Sequence, residues 1–135
     1  MSDEIKARLP FGPEEPWYEF VAVYENLPVK ETSAGAYKEI RVHSELIQAG
    51  LIISSTFTEF DEVGRISIPT IDADLIGKEL RTTLAGWGWE WLKRGTNQMV
   101  LRKTLPLENG SSTMAMAFHK VLPLLGVDPR QDWLV

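Results

Sequence analysis

"WYEFVAVYE", Trp17–Glu25, decides how the chain begins, and two readings compete for it. Its aromatic and β-branched side chains favour an extended strand. The spacing of Trp17, Phe20, Val21 and Tyr24 equally fits one face of a helix. Propensity tips the segment to a strand, and the rest of the chain is read outward from it.

Upstream, Pro10, Gly12, Pro13 and Pro16 mark residues 1–16 as an N-terminal arm without regular structure. Downstream, "NLPVKETS" (Asn26–Ser33) is a connection. Ser33 is expected to cap a helix over 34–49, with Ala36, Ile40, His43 and Ile47 near one face and Gly50 in a left-handed closing position. "LIISSTFTEF" (Leu51–Phe60) reads as a strand, turned by "DEVG" (Asp61–Gly64) into "RISIPTI" (Arg65–Ile71), where Pro69 indicates a sheet edge. Asp72 or Asp74 opens a helix over 73–85, with Ile76, Leu80, Thr83 and Leu84 on one face and Gly86 closing it. A strand over 87–93, a turn through Gly95 and a strand Gln98–Leu105 form a second hairpin. The last helix, 112–122, carries Met114, Phe118, Val121 and Leu122. Pro123 and Gly126 end it, leaving a C-terminal tail over 126–135.

The order β-α-β-β-α-β-β-α predicts an α+β domain over residues 1–135. Its core is a ferredoxin-like β-α-β-β-α-β unit with an antiparallel sheet, plus an extra hairpin strand and a C-terminal helix. Helices ending Ala49-Gly50 and Ala85-Gly86 each run into a hairpin, an echo of architecture between the two halves.

The segments "WYEFVAVY", "LAGWGWEWL" (Leu84–Leu92) and "MVLRKTL" (Met99–Leu105) together resemble a family of short uncharacterised bacterial α+β domains. That family has an aromatic first strand and a helix ending in Gly-Trp-Glu-Leu before a final strand. Here Gly86-Trp87-Gly88-Trp89 departs from that spacing, and residues 26–71 stand as an insertion. The resemblance implies no activity and transfers no site residues.

Composition narrows the class. With 44% hydrophobic and 24% charged residues, the 135-residue chain has the makings of a folded core rather than a disordered one. No run of 18 apolar residues is present to cross a bilayer, and the mixed-charge opening does not read as an export signal, so the expected compartment is the cytoplasm, without membrane association. The absence of cysteine excludes disulfides, thiolate metal sites and a Cys nucleophile. The net charge of −5 is unevenly spread: residues 1–31 hold 7 acids and 3 bases, 32–75 the same, and 76–135 hold 5 acids and 8 bases. Opposite charge in the two parts suits self-association or a protein partner. The basic residues Lys93, Arg94, Arg102 and Lys103 are too few for a nucleic-acid surface, so no nucleic acid is expected.

Chemical motifs are sparse. His43 and His119 are assigned to separate helices without metal-ligand spacing, so neither a metal nor a cofactor is expected. Glu14-Glu15, Asp61-Glu62 and Asp72/Asp74 fall in an arm, a turn and a helix start, where capping explains the last pair. "ENGSS" (Glu108–Ser112) could offer backbone amides to an anion, but a loop with a Ser cap explains it as well. No catalytic residue is assigned.

The three tryptophans at every second position remain. On one strand, Trp87, Trp89 and Trp91 share a face whose burial is worth on the order of 10 kcal/mol. Two registers are open. One sets Trp91 opposite Leu101, Trp89 opposite Lys103 and Trp87 opposite Leu105, an apolar face suited to a core. The other sets them opposite Val100, Arg102 and Thr104, with an Arg over an indole, suited to a groove. The apolar run Met99, Leu101, Leu105 favours the first.

The expected function is therefore a small non-enzymatic binding module, able to form a homodimer. It engages a protein or a small apolar ligand through Trp87, Trp89, Trp91, Arg102 and the tail residue Trp133. Two alternatives accompany it: a phage or mobile-element accessory protein that inhibits a host complex through its acidic N-terminal half, and an enzyme using His43 or His119.

Overall fold

The computed structural model describes residues 18–33, 35–48, 50–69, 76–94, 98–108 and 113–128. The N-terminal arm with Trp17, the Asp72/Asp74 helix start, the turn at Gly95, most of "ENGSS" and the tail with Trp133 lie outside them.

Helix α1 (Tyr18–Glu25) comes first. The strand expected at this position is therefore corrected to a helix. Periodicity outweighs propensity here, because Phe20, Val21 and Tyr24 are all fully buried on one face, which a strand of alternating sides could not achieve. Asn26 ends the helix by donating its side-chain amide to Ala22 O at 2.7 Å, and Pro28 follows.

Strands β1 (Lys30–Thr32), β2 (Gly35–Val42), β3 (Leu51–Phe57) and β4 (Asp61–Pro69) then form an antiparallel meander. The helix expected over 34–49 is thus replaced by β2 and a loop. Lys38, Ile40 and Val42 are buried while Tyr37, Glu39 and Arg41 are more open, a period of two. Gly50 does take a positive φ of 80°, but it closes that loop rather than a helix. The hairpin turn falls at 58–60, so Asp61–Gly64 belongs to β4. Pro69 is the last residue of β4, paired with Gln98 and beyond the reach of β3.

Helix α2 (Lys78–Gly86), strands β5 (Glu90–Arg94) and β6 (Gln98–Pro106), helix α3 (Met114–Val121) and a 3₁₀ turn (Leu122–Leu125) complete the described elements. The sheet order is β1-β2-β3-β4-β6-β5, antiparallel throughout. The protein is α+β, with a six-stranded antiparallel sheet and three α-helices among the described residues. Its element order α-β-β-β-β-α-β-β-α differs from the ferredoxin-like expectation because two segments, 18–25 and 35–42, take the opposite state. The architectural echo of the two halves disappears with the first of those helix ends.

All three helices pack on one sheet face. Register pairs Val42 with Leu51 and Ile68 with Met99, and aligns Ile40, Ile53, Ile66, Leu101 and Trp91 in one continuous row. Phe20, Tyr24, Leu84, Met114, Phe118 and Val121 close over these residues. The C-terminal turn is bolted to the loop after β2. Ser44 Oγ accepts from Leu46 N and Ile47 N at 3.0 and 2.9 Å and donates to Leu125 O, while Glu45 N donates to Gly126 O at 2.7 Å.

Candidate functional site

The tryptophan stretch is split by the end of α2. Gly88 N donates to Ala85 O and Trp89 N to Leu84 O, both at 3.0 Å, with Gly88 at φ 90°. This is a Schellman closure, and Trp89 and Leu84 are both buried in the core. Gly88, two residues after the glycine expected to close the helix, is the left-handed residue. Trp87 consequently belongs to the helix end, and the three indoles do not share one strand face.

Each indole has its own environment. Trp89 is 3% exposed, its ring 5.7 Å from that of Phe118. Trp91 lies opposite Leu101, in the first of the two registers expected, with the Arg81 guanidinium 4.9 Å from its ring centre. Trp87 is 38% exposed. Arg102 points to the other sheet face, where its Nε and Nη2 donate to Glu90 Oε1 at 2.8 and 2.6 Å, so it does not stack on an indole. Of the described residues expected to form a site, only Trp87 and Trp89 come together.

They do so in a recess of about 390 Å³ between the end of α2, β6 and α3. Its apolar wall is Trp87, Trp89, Leu105, Met116 and Ala117; its polar rim is Lys103, Thr113, His119 and Lys120. Lys103 Nζ donates to Trp87 O at 2.5 Å, passing over Gly88, where a Cβ would stand 2.6 Å from that nitrogen. The ammonium thereby meets the carbonyl end of α2, where a positive charge is favoured. Lys120 Nζ sits 5.5 Å from the Trp87 ring centre. No carboxylate lines the recess among the described residues. A hollow of about 520 Å³ along α2, lined by Ile76, Lys78, Arg81, Thr82 and Ala85, is shallower and has no aromatic wall.

No family model, curated protein or solved structure matches the chain.

The two histidines separate clearly. His43 is exposed in the loop after β2, which removes it from the expected helix, whereas His119 is half-buried at the recess. Burial holds His119 below its ordinary value, and Lys120 beside it pushes the same way. The unfolded chain therefore binds a proton at a higher pH than the folded chain. Stability contributed by neutral His119 is complete above about pH 6.5 and declines as the pH falls through the window below it. Urea midpoints between about pH 5 and 7 should show this decline, and His119→Asn should flatten it.

A second polar group lies under α1, enclosed rather than open. Tyr24 and Ser55 hydroxyls are 2.5 Å apart, and Lys38 Nζ lies 4.5 Å from the Tyr24 ring centre and 5.5 Å from that of Phe57. Glu62 is buried on the same sheet face. Burial raises the Tyr24 phenol, against the Ser55 hydrogen bond. Burial likewise lowers the Lys38 ammonium, against the pull of Glu62 and Glu25. Both shifts run toward the uncharged side chains. Among the described residues no cluster of three His, Asp or Glu side chains is placed to hold a metal ion, and no helix is long and apolar enough to cross a membrane.

Proposed function

We propose that the protein is a small-molecule binding module whose ligand seats an apolar body in the Trp87–Trp89 recess. One observation carries the reading. A partly exposed indole and a buried one, joined by Leu105 and Met116, line a hollow of about 390 Å³, within the roughly 300–1,000 Å³ range of ligand pockets. A rigid floor supports this, because Trp89 rests on Phe118 and its backbone is fixed by the closure of α2.

The test uses N-phenyl-1-naphthylamine, a neutral apolar fluorophore. Saturable binding with energy transfer from tryptophan is expected, and Trp87→Ala should weaken it about tenfold through loss of one aromatic wall. Absence of saturable binding, or equal binding by the variant, would overturn the proposal. The acid–base alternative now rests on His119, the only one of the two histidines at the recess. His119→Asn distinguishes the readings: binding persists in a binding module, while loss of any turnover of a bound compound favours the enzyme. Self-association and the role of an inhibitor of a host complex draw support from the uneven charge along the chain alone.

A further inference from the structure

We infer that the ligand is an apolar anion, with its negative group held between Lys103 and Lys120 and its body against Trp89, Leu105 and Met116. This rests on the reading of the recess as a ligand site and specifies what kind of molecule enters.

The geometry of the two lysines supports it. Both converge on one residue: Lys103 Nζ lies 2.5 Å from the Trp87 carbonyl oxygen, and Lys120 Nζ lies 5.5 Å from the Trp87 ring. They come from β6 and α3, elements that the fold brings together, so the pair is not a local run of charge in the sequence. Lys103 spends one donor on Trp87 O, and an ammonium has three. Its remaining donors and those of Lys120 belong to the lining of the same recess as the apolar side chains of Leu105, Met116 and Ala117.

The electrostatic setting makes the preference specific. The protein carries a net charge of −5, so an anion gains nothing from the molecule as a whole. The recess has two lysines and no carboxylate among its described lining residues. A carboxylate, sulfonate or phosphate attached to an aromatic or short acyl body satisfies both kinds of lining at once. A neutral body leaves both ammonium groups to water, and a cationic one meets repulsion.

The experiment compares two probes of similar aromatic size. One is 8-anilino-1-naphthalenesulfonate, which bears a sulfonate; the other is the neutral N-phenyl-1-naphthylamine. Each is titrated against the wild type, Lys120→Gln, Lys103→Gln/Lys120→Gln and Arg102→Gln, with circular dichroism confirming the native fold. In the wild type the sulfonate probe should bind one site about tenfold more tightly than the neutral one, and the two should compete. Added salt should narrow that gap. Lys120→Gln, which leaves the Lys103 contact to the end of α2 intact, should narrow it about threefold, and the double variant should close it. Arg102→Gln, on the opposite sheet face, should leave it unchanged. Equal affinity for the two probes in the wild type overturns the inference while the recess remains a ligand site, as does a gap that survives in the folded double variant. Failure of both probes to bind removes the recess reading and the inference with it.

Discussion

Phe118→Ala should lower the unfolding free energy by about 3–5 kcal/mol, the range for emptying a fully buried aromatic site. Phe118 is 0% exposed and meets α1, Trp89 just beyond the end of α2, and β4. Its ring centre lies 5.1 Å from Tyr24 in an edge-on contact and 5.7 Å from Trp89. Its ring tip reaches Gly64 in β4, where a Cβ would stand only 2.9 Å away. Removing the ring therefore unseats α1, α3 and the Trp89 floor together, and these neighbours cannot all collapse into one space. Urea unfolding followed by tryptophan emission should show a lower midpoint with an unchanged slope. A loss below about 1 kcal/mol would contradict the central place given to this ring. Phe118→Leu should recover part of the stability, and ligand binding in the recess should weaken more in the Ala variant than in the Leu variant.

Gly126→Ala is expected to be the next most damaging change, although it adds only a methyl group. Gly126 has φ 78°, which costs a residue with a side chain about 1–2 kcal/mol. The added Cβ would also stand 2.8 Å from Leu46 N and 2.9 Å from Leu46 Cβ, and such overpacking costs about 1–3 kcal/mol more. Backbone cannot swing aside as a flexible side-chain tip can. The contact between Gly126 O and Glu45 N would open, and with it the hydrogen bonds of Ser44 to Leu46, Ile47 and Leu125. Amide exchange at Glu45, Leu46 and Ile47 should accelerate more than exchange in β3 or β4. Gly86→Ala is the control: a Cβ there meets nothing within 4 Å, and as the last residue of α2 it should be neutral or stabilising by up to about 1 kcal/mol.

Which parts of this fold were legible follows from where local and long-range preferences agree. The β5–β6 pairing was legible because Met99, Leu101 and Leu105 supplied an apolar row for Trp91 to face, and Trp91↔Leu101 is the observed register. The last helix was legible for a similar reason: Met114, Phe118, Val121 and Leu122 are all buried. At Trp17–Glu25 the side-chain types favoured a strand while their spacing fitted a helix, and burial of Phe20, Val21 and Tyr24 on one face decided for the helix. At 35–42 a buried lysine broke the visible alternation. Lys38 reads as polar, yet it lies inward between the rings of Tyr24 and Phe57, so the period of two was hidden. Two glycines flank Trp87, and the positive φ of Gly88 with the pairing of Trp89 N to Leu84 O identifies Gly88 as the helix terminator. The recess was half legible. Trp87 and Trp89 were singled out by their spacing, and the favoured register already set Lys103 of β6 opposite Trp89, but Met116, His119 and Lys120 join them through the packing of α3, which no local pattern announces.

The insertion of β6 between β4 and β5 has a consequence for the birth of the chain. The strands from β1 to β4 all leave the ribosome before β6, so one flank of β4 has no strand to pair with until Pro106 has been made. At roughly 5–20 residues per second, that flank waits about two to seven seconds after Pro69. Val63, Ile66 and Ile68 lie along it, the kind of strand that recruits another chain. The terminal Pro69, with no N–H to offer, and the charged Asp61, Glu62 and Arg65 guard the nascent edge during that interval.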